Sequence, residues 1–162
     1  MINALARCEF LGSEPARWRI AMARNSRADE LEERLVEFAI DIVTLVGQLP
    51  HSFQSKHIAT QLLHSGTAAA PNYGEARAAE SRADFIHKLK IALKELNEAA
   101  IWLRIIGGSF AVDADFLTRL VAENTELCKI LVASIQTARR NNKADQGDHS
   151  FVIWSPDKRI NH

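Results

Sequence analysis

The sequence predicts an all-α protein, an antiparallel up-and-down four-helix bundle with poorly ordered N- and C-terminal extensions. Three observations carry that expectation. Apolar residues recur at four-three spacing in four successive segments, the rhythm of a helix with one buried face. Glycine and proline are sparse, at seven and four of 162 residues, which suits helices better than turn-rich sheets. The segments are separated by short breaks at Leu49-Pro50, Glu80-Ser81 and Gly107-Gly108. At this length, with 47% hydrophobic residues, the chain can close one core. The expected organisation is an N-terminal extension over 1–25, a bundle over 26–141 and a C-terminal tail over 142–162.

Residues 1–25 show no sustained period and hold Gly12 and Pro15. Met22, followed by Ala-Arg-Asn-Ser, is read as an alternative start. The first helix is expected from about Arg27 to Gln48, with Leu31, Leu35, Phe38, Ile42, Leu45 and Leu49 as its seam. Asp29, Glu30, Glu32 and Glu33 crowd its first turns, where the helix dipole favours negative charge. Leu49-Pro50 ends it, because the residue before proline is pushed out of the helical region.

The second helix is expected from Ser52 or Phe53 to Ala79. Its upper half is small throughout, Ser65-Gly66-Thr67-Ala68-Ala69-Ala70, a composition that lets a neighbouring helix approach closely. Pro71 removes a backbone donor and crowds the carbonyl of Thr67, so a bend is expected near 67–71. In the third segment, Ser81 and Asp84 have the spacing of a capping box. Phe85, Leu89, Ala92, Leu96, Ala99, Leu103 and Ile106 form its seam, widened by Ile86, Leu93 and Ala100. Ile91, Trp102 and Ile105 make a second strip, expected to contact another subunit. The fourth helix is expected to start at Asp113 or Asp115 and to close at Arg139-Arg140. Its buried face is expected to be Phe116, Leu117, Leu120, Val121, Leu127, Ile130, Leu131 and Ile135. Beyond it the chain is polar except for Phe151-Val152-Ile153-Trp154, read either as a patch that docks on the bundle or a partner or, the preferred reading, as part of a mobile tail.

Composition narrows the function classes. Lys+Arg and Asp+Glu are both 20, a balance unlike that of a nucleic-acid coat. Cys8 and Cys128 have neither disulfide-framework nor metal-site spacing, which fits reduced thiols in a cytoplasm. No apolar run approaches the roughly 20 residues of a membrane span. There is no glycine-rich phosphate loop and no nucleophile elbow, so a non-enzymatic protein without a cofactor is expected. Asp84-x-x-His87 has the spacing of one arm of a di-iron site, but such sites need two Glu-x-x-His arms and two further glutamates. His51, His57 and His64 lie six and seven residues apart, unlike zinc ligands, and are read as surface or packing residues.

Two constellations stand out. Asn72 and Glu75 are one turn apart on a stripe that continues through Gln61, Ser65 and Ala68. They read either as a site lining an oligomer's central opening, or as groups that bond across helices or subunits and set their register. The second reading is preferred, since polar groups among small residues need partners. The basic candidates are Arg77, Arg82, Lys88, Lys90, Lys94 and Arg104. The third helix carries five bases against three acids, with Glu95 and Glu98 diluting its positive charge.

The order of motifs also resembles a known family. A helix ending in Leu49-Pro50 is followed by Gln61-Leu62, an Asn-x-x-Glu-small element from Asn72 to Ala76, Ser81, Asp84-Phe85 and a Leu-Lys-Glu-Leu run from Leu93 to Leu96. Over about residues 31–135 this resembles the bacterial four-helix-bundle proteins encoded by intervening sequences in large-subunit rRNA genes. The resemblance implies an up-and-down bundle and a homopentameric, barrel-like assembly. It further implies kinship with the accessory protein of diversity-generating retroelements, a pentamer that binds nucleic acid and a reverse transcriptase. Pro71 before Asn72, Gly74 where alanine is common and the neutral charge depart from those patterns. The expected function is a homo-oligomeric scaffold or interaction module. The alternative is a nucleic-acid-binding accessory protein using Arg77, Arg82, Lys88, Lys90 and Lys94.

Overall fold

The computed structural model describes residues 27–145. Expectations for the two extensions, Met22 and Phe151–Trp154 included, lie outside the described residues. Four helices follow in order: α1 (Arg27–Gly47), α2 (Phe53–Arg77), α3 (Arg82–Ser109) and α4 (Ala114–Asp145). Each packs on its sequence neighbour, and α4 returns to α1; no contact crosses the diagonals α1–α3 or α2–α4. Links of four or five residues reverse the chain between successive helices, giving the antiparallel ring.

The seams sit where the apolar spacing puts them. Leu35, Phe38, Ile42 and Leu45 of α1, Leu62 of α2, Leu89, Leu96, Leu103 and Ile106 of α3, and Leu127 and Leu131 of α4 are all at most 1% exposed. The second strip of α3 lies partly against its own bundle. Ile91, Trp102 and Ile105 are half-buried, and Trp102 packs on the bundle's own core. Its indole N–H donates to Glu98 at 3.3 Å, and its ring meets His57 of α2 edge-on at 6.3 Å. Trp102 is thus satisfied within one chain.

Helix ends follow local hydrogen-bond chemistry. Ser52 caps α2: its hydroxyl accepts from the Ser55 amide at 3.1 Å, and its own amide donates to Ser55 Oγ at 3.0 Å. Ser81 accepts from the Asp84 amide at 3.1 Å, and Asp113 from the Phe116 amide at 2.8 Å. Gly107-Gly108 do not stop α3; they lie inside it at ordinary helical φ, and Phe110 is the cap residue. Arg139-Arg140 do not close α4 either, which continues to Asp145. α2 runs unbroken through Pro71, whose ring lies on the exposed face.

The small residues of α2 set the helix spacing. A Cβ built on Gly66 would lie 2.8 and 2.9 Å from the two Cγ atoms of Ile42 on α1. Those atoms belong to a β-branched side chain with little rotamer freedom, so they cannot swing away. Gly74, two turns on, has open space where a Cβ would go. The same substitution should therefore act with opposite signs. Gly66→Ala gains about 1 kcal/mol of helix propensity but overpacks by about 1–3 kcal/mol, a net loss of up to about 2 kcal/mol. Gly74→Ala should stabilise by about 0.5–1 kcal/mol. Urea unfolding of the two variants measures both; stabilisation by Gly66→Ala would contradict the close approach.

Candidate functional site

The residues singled out by sequence do not converge on one pocket; they divide among three places. At the end of the bundle where α1 starts and α2 finishes, Arg77 reaches back to α1. Its Nη2 lies 2.9 Å from Asp29 Oδ1, and its Nη1 bonds Glu32. Burial opposes the charge on Arg77, but the hydrogen bonds to Asp29 and Glu32 outweigh it and hold the guanidinium above its ordinary range. The acidic first turns of α1 thus have a second role besides complementing the dipole: they clamp α2. Tyr73, buried nearby, points its hydroxyl at the Ala28 carbonyl at 3.4 Å.

The Asn72 and Glu75 pair separates. Asn72 Nδ2 donates to the Ala68 carbonyl one turn back in its own helix at 2.8 Å. Ser65 likewise donates to Gln61 O at 2.9 Å. These are local bonds, not bonds between helices. Glu75 does cross helices, pairing with Lys88 of α3. Its hydrogen bond raises the Lys88 ammonium above its usual range. Arg77 and Lys88 thus pair with acids of the same chain; Arg82 is half-buried at the start of α3.

The outer ridge of α3 is different. Lys90, Lys94 and Arg104 are exposed, and the 3.6-residue period puts them on one side with Asn97 and Ile101. Glu95 does not dilute this face, because it is buried toward α2 at 8% exposure. Its Oε2 lies 3.8 Å from His64 Nδ1, an ion pair when the imidazole is protonated, and accepts no hydrogen bond. Glu98 is turned to Trp102. The ridge is therefore basic and acid-free, although the helix as a whole holds three acids.

The far seam is closed by other polar groups. Arg34 of α1 donates to both carboxylate oxygens of Glu123 on α4, at 2.9 and 3.0 Å, and the hydrogen bond holds its guanidinium above the ordinary range. Buried Asn124 of α4 donates to the Leu96 carbonyl of α3 at 3.1 Å. Among the described residues no group of three or more His, Cys, Asp or Glu side chains is arranged to hold a metal ion. No helix among them is long and apolar enough to cross a membrane.

α1 carries an outward feature that sequence reading passed over. Ile40 and Val43 are 45% and 54% exposed, in line with half-buried Val36 and exposed Gly47. The signal was present as a second four-three row beside the Leu31–Leu45 seam. Phe53, which opens α2, is 86% exposed.

The model of the 23S rRNA-intervening sequence protein family matches residues 29–133, the span of the ring from the acidic turns of α1 into α4. The chain belongs to that family. A solved structure with similar architecture is a protein of unknown function from the S23 ribosomal protein family of Bacteroides thetaiotaomicron VPI-5482. It is 35% identical, with a TM-score of 0.62, and the match covers 67% of this chain and 97% of that one. No curated protein matches the chain. The family span includes both the Arg77 clamp and the α3 ridge.

The clamp makes a prediction. Arg77→Met removes the guanidinium that engages both Asp29 and Glu32, at an expected cost of about 2 kcal/mol. Arg77→Lys should recover only part of it, since an ammonium lacks the planar fork that spans two carboxylates. Urea midpoints at neutral pH compare the three proteins; a midpoint unchanged in Arg77→Met would show that the clamp contributes nothing.

Proposed function

We propose that this family member is a non-enzymatic homo-oligomeric bundle that serves as a scaffold or interaction module. One observation carries the reading: the outward apolar row along α1 in which half-buried Val36 lines up with exposed Ile40, Val43 and Gly47. Large aliphatic side chains in line on a helix flank are what a subunit contact covers. A pentamer is the count that the family resemblance implies. Cytoplasmic action belongs to the same reading, supported by two cysteines without a disulfide framework. Multi-angle light scattering tests it. The natural chain should have the mass of a multimer, and Ile40→Glu with Val43→Glu should reduce it to one subunit with helicity retained. A monomeric natural chain, or an assembly indifferent to both charges, would refute it.

A second reading, nucleic-acid binding by the oligomer, is favoured by the acid-free ridge of Lys90, Lys94 and Arg104. Arg77 and Lys88 drop out of this version because acids inside the bundle already match them. Each phosphate contact contributes about 0.7 to the salt slope for a single strand. Lys90→Ala with Lys94→Ala should therefore lower the slope of log affinity for single-stranded RNA against log salt by about 1.4. Lys88→Ala should leave that slope unchanged. An affinity flat in salt, or equal effects of all three lysines, would exclude the ridge.

A further inference from the structure

Between α3 and α4 runs an open groove of about 460 Å³, lined by Leu93, Asn97, Cys128, Lys129, Val132 and Gln136 among others. Its apolar wall includes Val132, 39% exposed. Cys128 is half-buried there, and desolvation pushes its thiol up. The sequence continues seventeen residues past α4, and Phe151-Val152-Ile153-Trp154 is the apolar run within that otherwise polar stretch.

The lengths match. α4 ends at Asp145, so Gln136 lies about 13 Å back along the helix at 1.5 Å per residue. Residues 146–150 span up to about 17 Å when extended, enough to bring Phe151 back to the groove's near end. The four apolar residues then cover about 10–13 Å, comparable with the roughly 10 Å of α4 from Gln136 to Lys129. The stretch before Arg27 emerges from α1, the helix diagonal to α3, and would have to pass around a neighbouring helix first. We propose that the groove between α3 and α4 is the docking site of the chain's own Phe151–Trp154 segment, an intramolecular cover over Cys128.

Cys128 supplies the readout. In the full chain carrying Cys8→Ser it is the sole thiol, and its reaction rate with an aromatic disulfide reagent reports whether the groove is covered. A segment docked for about nine-tenths of the time slows that reaction about tenfold. Phe151→Ser with Trp154→Ser should therefore raise the rate about tenfold with unchanged helicity, and the parent's protection should survive hundredfold dilution. Equal rates in the two proteins would overturn the proposal. Protection lost on dilution would overturn it as well, assigning the groove to a second copy.

Discussion

The close approach of α1 and α2 at Ile42 and Gly66 is the constraint from which the rest of the bundle takes its dimensions. With no Cβ at residue 66, the branched Ile42 side chain sits directly on the α2 backbone. Interiors pack at crystal-like density, so a fixed separation here dictates which side chains fit in the neighbouring layers. Leu62 and Ala69, above and below on the same face of α2, are at most 1% exposed. Small residues also continue around α2 toward α3. There Asn72 and Ser65 are absorbed by carbonyls of their own helix instead of reaching out, which leaves the α2–α3 seam to size and shape, with Glu75–Lys88 as a bridge toward its edge.

Charge is placed to serve this geometry at the ends and at the far seam. The Arg77 clamp ties the start of α1 to the finish of α2, and Arg34–Glu123 joins α1 to α4 by a bidentate pair. Both pairs are partly exposed and unite residues far apart in sequence, so they contribute orientation as much as stability. Glu95 is the exception. A carboxylate buried beside a largely exposed histidine, with one oxygen accepting no hydrogen bond, is costly for the fold. Its place on the buried Ala92–Ala99 seam keeps it off the outer ridge of α3. The helical period thus leaves a basic face on a helix of mixed charge.

Most of the fold was legible because seam positions in a bundle are set by local periodicity alone. Leu89, Ala92, Leu96, Ala99, Leu103 and Ile106 could be placed inside from spacing, and they are buried. What periodicity could not decide was the allegiance of residues at a seam's edge. Trp102 lies off the main seam, where spacing points to a subunit contact, and spacing gives no sign that His57 and Glu98 of the same chain also engage it. Glu95 looked solvated because it is charged, though it stands three residues after Ala92 and four before Ala99, both buried. Gly107-Gly108 resembled a stop because glycine often ends helices; the structure uses them as ordinary helical residues. Such outcomes depend on contacts between helices and rotamer choice, which a single helix's pattern does not contain. For the same reason Asn72 and Glu75 looked like a pair but act separately: the backbone one turn back takes the first, and a lysine of the next helix takes the second.

The arrangement of the outer faces bears on how the two functional readings relate. The apolar row lies on α1 and the basic ridge on α3, helices that share no contact because they occupy opposite corners of the ring. Self-association through α1 would leave the α3 ridge uncovered wherever the partner's matching surface is not α3 itself. Repeating that ridge around an assembly would multiply a modest local charge, since two lysines and an arginine per copy become a band when several copies share one axis. The net charge of zero is no obstacle to such a band, because acids such as those at the start of α1, buried Glu95, Glu123 paired with Arg34 and Glu75 paired with Lys88 stand away from the ridge. Segregation of charge by helix face, more than the total, is what would let a neutral chain present a cationic surface as an oligomer.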